Sequence, residues 1–198
     1  MIIKKLLFAA ILISVLPLCA YAEGLNYNYV QVVYFTSNYD VDGTNIDGDG
    51  VNVSGSVGLS DNLAFGASFE SESVDSFDYF GYDVNFQSLV FGVGLHSPIN
   101  NTTDAILSFN VLNAEISSPS FATSEDDTGN IMSVGIRSKL ENNVEVGASF
   151  SRTEIFDDSS TGFSLSLLIG AQNSMQFGIG YGNSEDMDTV AFGIRANF

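Results

Sequence analysis

The chain holds one cysteine, one histidine and no tryptophan among 198 residues. The cysteine, Cys19, lies in the N-terminal apolar stretch, so disulfides and thiolate metal sites are excluded once that stretch is removed. The single histidine, His96, sits beside Ser97 and Pro98 and reads as a polar turn residue. Six basic side chains stand against 24 acidic ones. Nucleic acid is thereby excluded as a partner, because phosphate binding needs Lys and Arg. Nothing after the N-terminus approaches 18 consecutive apolar residues, so no transmembrane helix is expected.

What is present begins with an export signal. Lys4 and Lys5 precede the apolar run Leu6–Leu18, and Ala20-Tyr21-Ala22 supplies small residues for cleavage. Residues 1–22 are read as a signal peptide, and 23–198 as one domain. All 24 acidic residues stay in that domain, against Arg137, Lys139, Arg152 and Arg195.

The domain is rich in Phe, Tyr, Val and Gly, and it alternates. In Thr189–Phe198, Val190, Phe192, Ile194, Ala196 and Phe198 occupy every second position, with small, polar or charged residues between. Successive side chains of a strand point to opposite faces, so one face is apolar and the other is not. The pattern recurs at Asn26–Ser37, Gly50–Leu59, Leu63–Ser73, Val84–His96, Asp104–Glu115, Asn130–Leu140, Asn143–Ile155, Gly162–Ala171 and Ser174–Asn183. Ten strands with an apolar outer face, joined alternately by short turns and longer connections, predict a closed antiparallel transmembrane β-barrel. Eight strands is the alternative if two segments merge. In a bilayer no backbone group can stay unpaired, so the first strand must close on the last. Strand one is ambiguous in its facing; Gln31 is placed inward. The inner positions are largely Gly, Ser, Ala and Asn, and the expected lumen is filled by polar groups and water.

Five charged residues fall on the inner face: Glu70, Arg137, Lys139, Glu145 and Arg195. All but Glu70 lie near the periplasmic strand ends. Arg137 or Arg195 is expected to pair with Glu145, because an unpaired buried charge is costly. The pair then acts as a latch across the lumen or as a charged constriction that tunes ion selectivity.

Most acids are assigned to the long connections, where they form an acidic outer rim. Asn45, Asp47 and Asp49 in Asn45-Ile46-Asp47-Gly48-Asp49-Gly50 resemble the first half of a calcium-binding loop. The twelfth position is Ser56 instead of Glu, so they are weak cation candidates, and no metal site or cofactor is assigned. The omptin proteases resemble this chain in strand number, but the single histidine falls at the wrong end of the barrel for their chemistry. The chain is not expected to be an enzyme.

The C-terminus, with Val190, Phe192, Ile194 and Phe198, resembles the assembly signal of bacterial outer-membrane barrels. Tyr27-Asn28-Tyr29-Val30-Gln31 with Tyr34, an Asp/Gly segment, Gly50 to Ser56 and Ser60-Asp61-Asn62 together resemble small outer-membrane β-barrel proteins of the porin-like or OmpA-like type. The resemblance implies a barrel in the outer membrane of a Gram-negative bacterium, without a common activity. Absent tryptophan departs from the usual aromatic girdle, and no wall-anchoring domain is expected after Phe198. The expected function is a narrow, porin-like passive channel for ions or small solutes. The alternative is a non-conducting structural or adhesin-like barrel. Expected partners are outer-membrane lipid, lipopolysaccharide, the barrel-assembly machinery and divalent cations.

Overall fold

The computed structural model describes residues 25–41, 43–75, 83–118, 123–140, 143–172, 174–185 and 187–198. The signal peptide with Cys19, and Asp42, Asp78 and Asp186 of the acidic connections, lie outside them. Ten strands follow one another: β1 (Tyr29–Val41), β2 (Thr44–Ser60), β3 (Leu63–Val74), β4 (Val84–Asn100), β5 (Thr103–Ser118), β6 (Thr123–Lys139), β7 (Val144–Ile155), β8 (Asp158–Gln172), β9 (Met175–Ser184) and β10 (Met187–Asn197). Each pairs antiparallel with its neighbours in the chain, and β1 closes on β10 from Tyr29↔Asn197 to Tyr39↔Met187. The barrel has ten strands, and no helix occurs among the described residues.

The outer face follows the expected alternation. Val30, Val32 and Tyr34 on β1, Phe65 and Phe69 on β3, and Leu89, Phe91 and Val93 on β4 are all exposed. Gln31 is buried inside, between buried Tyr29 and Val33.

Several strands are longer than a bilayer needs. β2, β4 and β6 each have 17 residues. At the usual rise and a 45° tilt these reach about 40 Å in height, against an apolar band of about 25 Å. β4 continues past Leu95 to Asn100 at the terminal end, whereas on β2 and β6 the excess lies at the end opposite the chain termini. There the polarity of the two faces inverts. On β1 the outer residues change from Val30, Val32 and Tyr34 to exposed Thr36 and Asp40, while Tyr39 and Val41 are buried inside. On β2, Asp47 and Asp49 face outward over buried Ile46. Lipid rewards apolar groups outside; water above the membrane rewards the reverse. The strands thus run from a membrane barrel into a crown built like a soluble one.

The acidic connection expected over residues 38–49 is therefore corrected. The β1–β2 hairpin stays paired up to Val41↔Thr44, and Gly43 turns the chain with φ of 82°, a conformation that glycine adopts without a Cβ clash. The expected connection at 116–129 is shortened in the same way, since β5 and β6 pair up to Ser118↔Thr123.

Candidate functional site

Inward side chains cluster at two levels of the barrel. At the terminal end the chain before β1 folds inward, burying Leu25 and Tyr27. This replaces the strand expected to begin at Asn26. Asn28 anchors the segment: its carbonyl accepts the Phe198 backbone N–H at 3.0 Å, and its Oδ1 accepts the Gly58 N–H at 2.9 Å.

Around this segment the inward charges gather. Arg137, from β6, is 1% exposed and donates from Nε and Nη2 to the two carboxylate oxygens of Glu145 on β7, the latter at 2.9 Å. Its guanidinium also reaches the Asn26 carbonyl at 3.0 Å and lies 4.2 Å over the Tyr27 ring. Arg195, from β10, donates to Gln31 at 2.9 Å, approaches Glu145 at 3.4 Å and lies 4.1 Å over the Tyr29 ring. One carboxylate thus faces two guanidinium groups, and each guanidinium rests on a tyrosine face, where the ring quadrupole attracts a cation. Lys139 pairs across the sheet with Glu145 and is half-buried at this same end. Glu70 does not join the cluster. It is buried further up β3 and accepts a hydrogen bond from Asn52 at 3.2 Å.

His96 is not a surface turn residue. It is buried on the inner face of β4 and stacks on Tyr27 at 5.8 Å, and the Tyr27 hydroxyl donates to Asp104 at 3.1 Å. Neither imidazole nitrogen makes a hydrogen bond to the described residues, so the group orders no nucleophile beside a base.

The second cluster lies in the crown. Tyr39, Val41, Ile46, Val74, Phe86, Leu112, Ile131, Ile155 and Met187, with neighbours on the same strands, form one buried apolar cluster drawn from eight of the ten strands. Below it Glu72 accepts hydrogen bonds from Ser37 and from Tyr39, the latter at 2.7 Å. The expected lumen of small residues and water is corrected here. Small residues do line the middle, where hydroxyls pair as Ser108–Ser133 at 2.6 Å and Ser149–Ser164 at 2.7 Å. Large apolar side chains occupy the upper part.

Phe156 closes the crown at the β7–β8 turn. Phe156 and Asp157 both have positive φ, 53° and 60°, in the left-handed region that side chains other than glycine seldom adopt. Two observations account for it: the Phe156 ring is buried in the apolar cluster, and its N–H donates to Asp127 Oδ2 at 2.6 Å.

Asn45, Asp47 and Asp49 belong to β2, where they are exposed. Alternate residues of a strand stand roughly 6.5–7 Å apart on one face, so they cannot wrap a cation as a loop does. Asp47 instead accepts a hydrogen bond from Asn38 at 2.8 Å. Among the described residues no group of three acidic, His or Cys side chains could hold a metal ion. Val190, Phe192, Ile194 and Phe198 all point outward from β10 and the chain end.

The fold and the apolar outer band define an outer-membrane β-barrel, porin-like in architecture. The chain belongs to the family of outer membrane protein β-barrel domains, whose model matches residues 8–197, and membership implies the outer membrane of a Gram-negative bacterium. No curated protein matches the chain. Similar solved structures include Neisserial surface protein A, at 12% identity and a TM-score of 0.47 over 86% of this chain and 96% of that one. The KdgM porin matches at 9% and 0.44, over 85% and 99%. The attachment invasion locus protein Ail of Yersinia pestis matches at 16% and 0.43, over 86% and 97%. These are likenesses of fold.

The tyrosines under the arginines, and Glu72, were not legible as site residues in the sequence. Tyr27, Tyr29, Gln31, Val33 and Phe35 do alternate, but Val30, Val32 and Tyr34 between them are apolar too, so neither face of β1 announces itself as the inner one.

Proposed function

We propose that this protein is a non-conducting outer-membrane barrel that works through its extracellular crown. The observation that carries this reading is the clustering of inward side chains at two levels, the Tyr27–Arg137–Glu145 cluster at one end and the apolar cluster at the other. A passive channel needs a continuous wet path, and an apolar cluster drawn from eight strands weighs against one. The preference thus moves from the narrow channel to the structural or adhesin-like alternative. The same features assign no catalytic role, since Arg137, Arg195 and Glu145 are engaged with one another and His96 orders no nucleophile.

In this reading the chain is exported by its signal peptide, and the outward face of β10 with Phe198 is what the assembly machinery engages. The crown's outer acids, such as Asp40, Asp47 and Asp49, stand just above the apolar band, at the height of lipopolysaccharide phosphates. Divalent cations would bridge the two. Proteoliposome swelling tests the reading. Vesicles holding the barrel should swell in a small sugar no faster than empty ones, and swelling that rises with the amount of barrel would overturn it.

A further inference from the structure

The wall of the crown has a gap. β6 pairs with β5 from Ser138 up to Thr123, but with β7 only from Lys139 up to Asn130. β7 ends at Ile155 and turns at Phe156–Asp157. Among the described residues, no backbone hydrogen bond reaches the β7 side of β6 between Thr123 and Gly129. Seven residues, about 20 Å of strand, therefore present an open edge above the membrane.

The register says which groups face the gap. Lys139 N donates toward β5, to Thr102 O, and Leu140 N donates toward β7, to Val144 O. The pairing has no shift between these residues and Thr123. Neighbouring residues of a strand direct their N–H and C=O to opposite sides, so Ser124, Asp126 and Thr128 aim theirs into the gap. Among the described residues, one of these N–H groups has a partner: that of Thr128 donates to Asp127 Oδ1 at 2.8 Å. Beside this edge lies an open recess of about 630 Å³, floored by Glu154, Ile155 and the Phe156–Asp157 turn. Gly129 marks its base, where a Cβ would stand 2.7 Å from that of Ile155.

The recess is strongly acidic. Asp127, Glu154, Asp157 and Asp158 line it, and exposed Glu125 and Asp126 lie further along the edge. Arg152, the nearby cation on β7, is already paired with Glu154 at 2.9 Å. Two such edges would repel each other, so a second copy of this chain does not fit. An unpaired edge accepts an extended peptide through its backbone, and the surrounding charge selects which one. We infer that the Thr123–Gly129 edge of β6 is a docking site for an extended, lysine- or arginine-rich segment of a partner protein, which adds as a strand above Ile155 in the place β7 vacates.

This inference rests on the crown being the working part of the protein, but its test does not depend on the lumen. The folded barrel in zwitterionic micelles is titrated into a fluorescein-labelled, end-capped peptide of alternating Lys and Val or Thr. A second peptide has the same sequence with alternate backbone nitrogens methylated, so it keeps the charge and loses the donors. The expected result is saturable binding of the first peptide, at least ten-fold weaker binding of the second, and at least ten-fold weakening by Glu125→Lys with Asp126→Lys. Both substitutions lie on the exposed edge, and the variant should keep the heat-modifiable mobility of a folded barrel. Equal binding of the two peptides, or no binding of either, would overturn the inference. A conducting barrel that still discriminated the peptides would overturn the closed-lumen reading and leave this one standing.

Discussion

Glu145→Gln removes the carboxylate charge that faces both buried arginines while keeping the side chain's shape. In the native barrel Glu145 accepts from Arg137 Nε and Nη2 and from Arg195 Nη1, with Arg137 1% and Glu145 8% exposed. Breaking a buried pair by removing one partner costs about 3–5 kcal/mol, because the remaining charge is left uncompensated. Glutamine keeps one acceptor oxygen and the tyrosine rings still cover the guanidinium groups, so the cost should fall near the lower end, about 3 kcal/mol. The same chain carries its own control. Arg152 and Glu154 form an ion pair at 2.9 Å with side chains 56% and 50% exposed, and exposed pairs contribute about 0–1 kcal/mol. The two variants should be unfolded in urea from lipid vesicles. Far-ultraviolet circular dichroism is the probe, since there is no tryptophan to report fluorescence. Glu145→Gln should cost at least about 2 kcal/mol more than Glu154→Gln. Equal costs would mean that the cluster is hydrated and loose, and that it does not close the lumen.

Two further outcomes follow from the crown. Leu112→Ala, at a residue 0% exposed in the apolar cluster, should lower stability by about 2–5 kcal/mol in the same urea assay, as cavity-forming substitutions do; a loss under about 1 kcal/mol would mean the plug is not packed. The polarity inversion predicts that Val32→Arg, in the lipid-facing band, costs about 2–4 kcal/mol, whereas Thr36→Arg, four residues on along the same outer face, costs about 0–1 kcal/mol. Equal penalties would place the membrane boundary elsewhere.

The lower halves of the strands were readable because lipid imposes an apolar outer face, and Val190, Phe192 and Ile194 at alternate positions display that face directly. Ten strands and their order followed from that alternation. The upper halves were not readable, and the reason is physical. Above the bilayer the solvent side is polar and the inner side apolar, so Asn45–Gly50 shows Asp and Gly in alternation and mimics a loop. Its true strand character depends on Ile46 and on the partner residues Asn38 and Tyr39, which no local pattern links to it. The ionic cluster was legible in part. Arg137, Glu145 and Arg195 share a face by simple parity, and unpaired buried charge demands a partner. That Tyr27 turns inward beneath Arg137, and His96 beneath Tyr27, depends on the segment before β1 entering the barrel, and alternation says nothing about a segment that is not a strand. The edge of β6 was hidden for a related reason: it exists because β7 stops at Ile155 while β6 continues to Thr123, a difference in strand length that emerges only from the pairing.

The central claim is that the lumen is filled from both ends. Single-channel recording of the folded barrel in a planar bilayer tests it most directly, with wild type beside Arg137→Ala. Arg137→Ala opens the ionic cluster but leaves the apolar cluster of the crown in place, so both proteins should be silent under an applied voltage while running as folded barrels on a gel. Steady, ohmic steps from the wild type would contradict the account, because they require a continuous water path through the level of Tyr39, Leu112 and Met187.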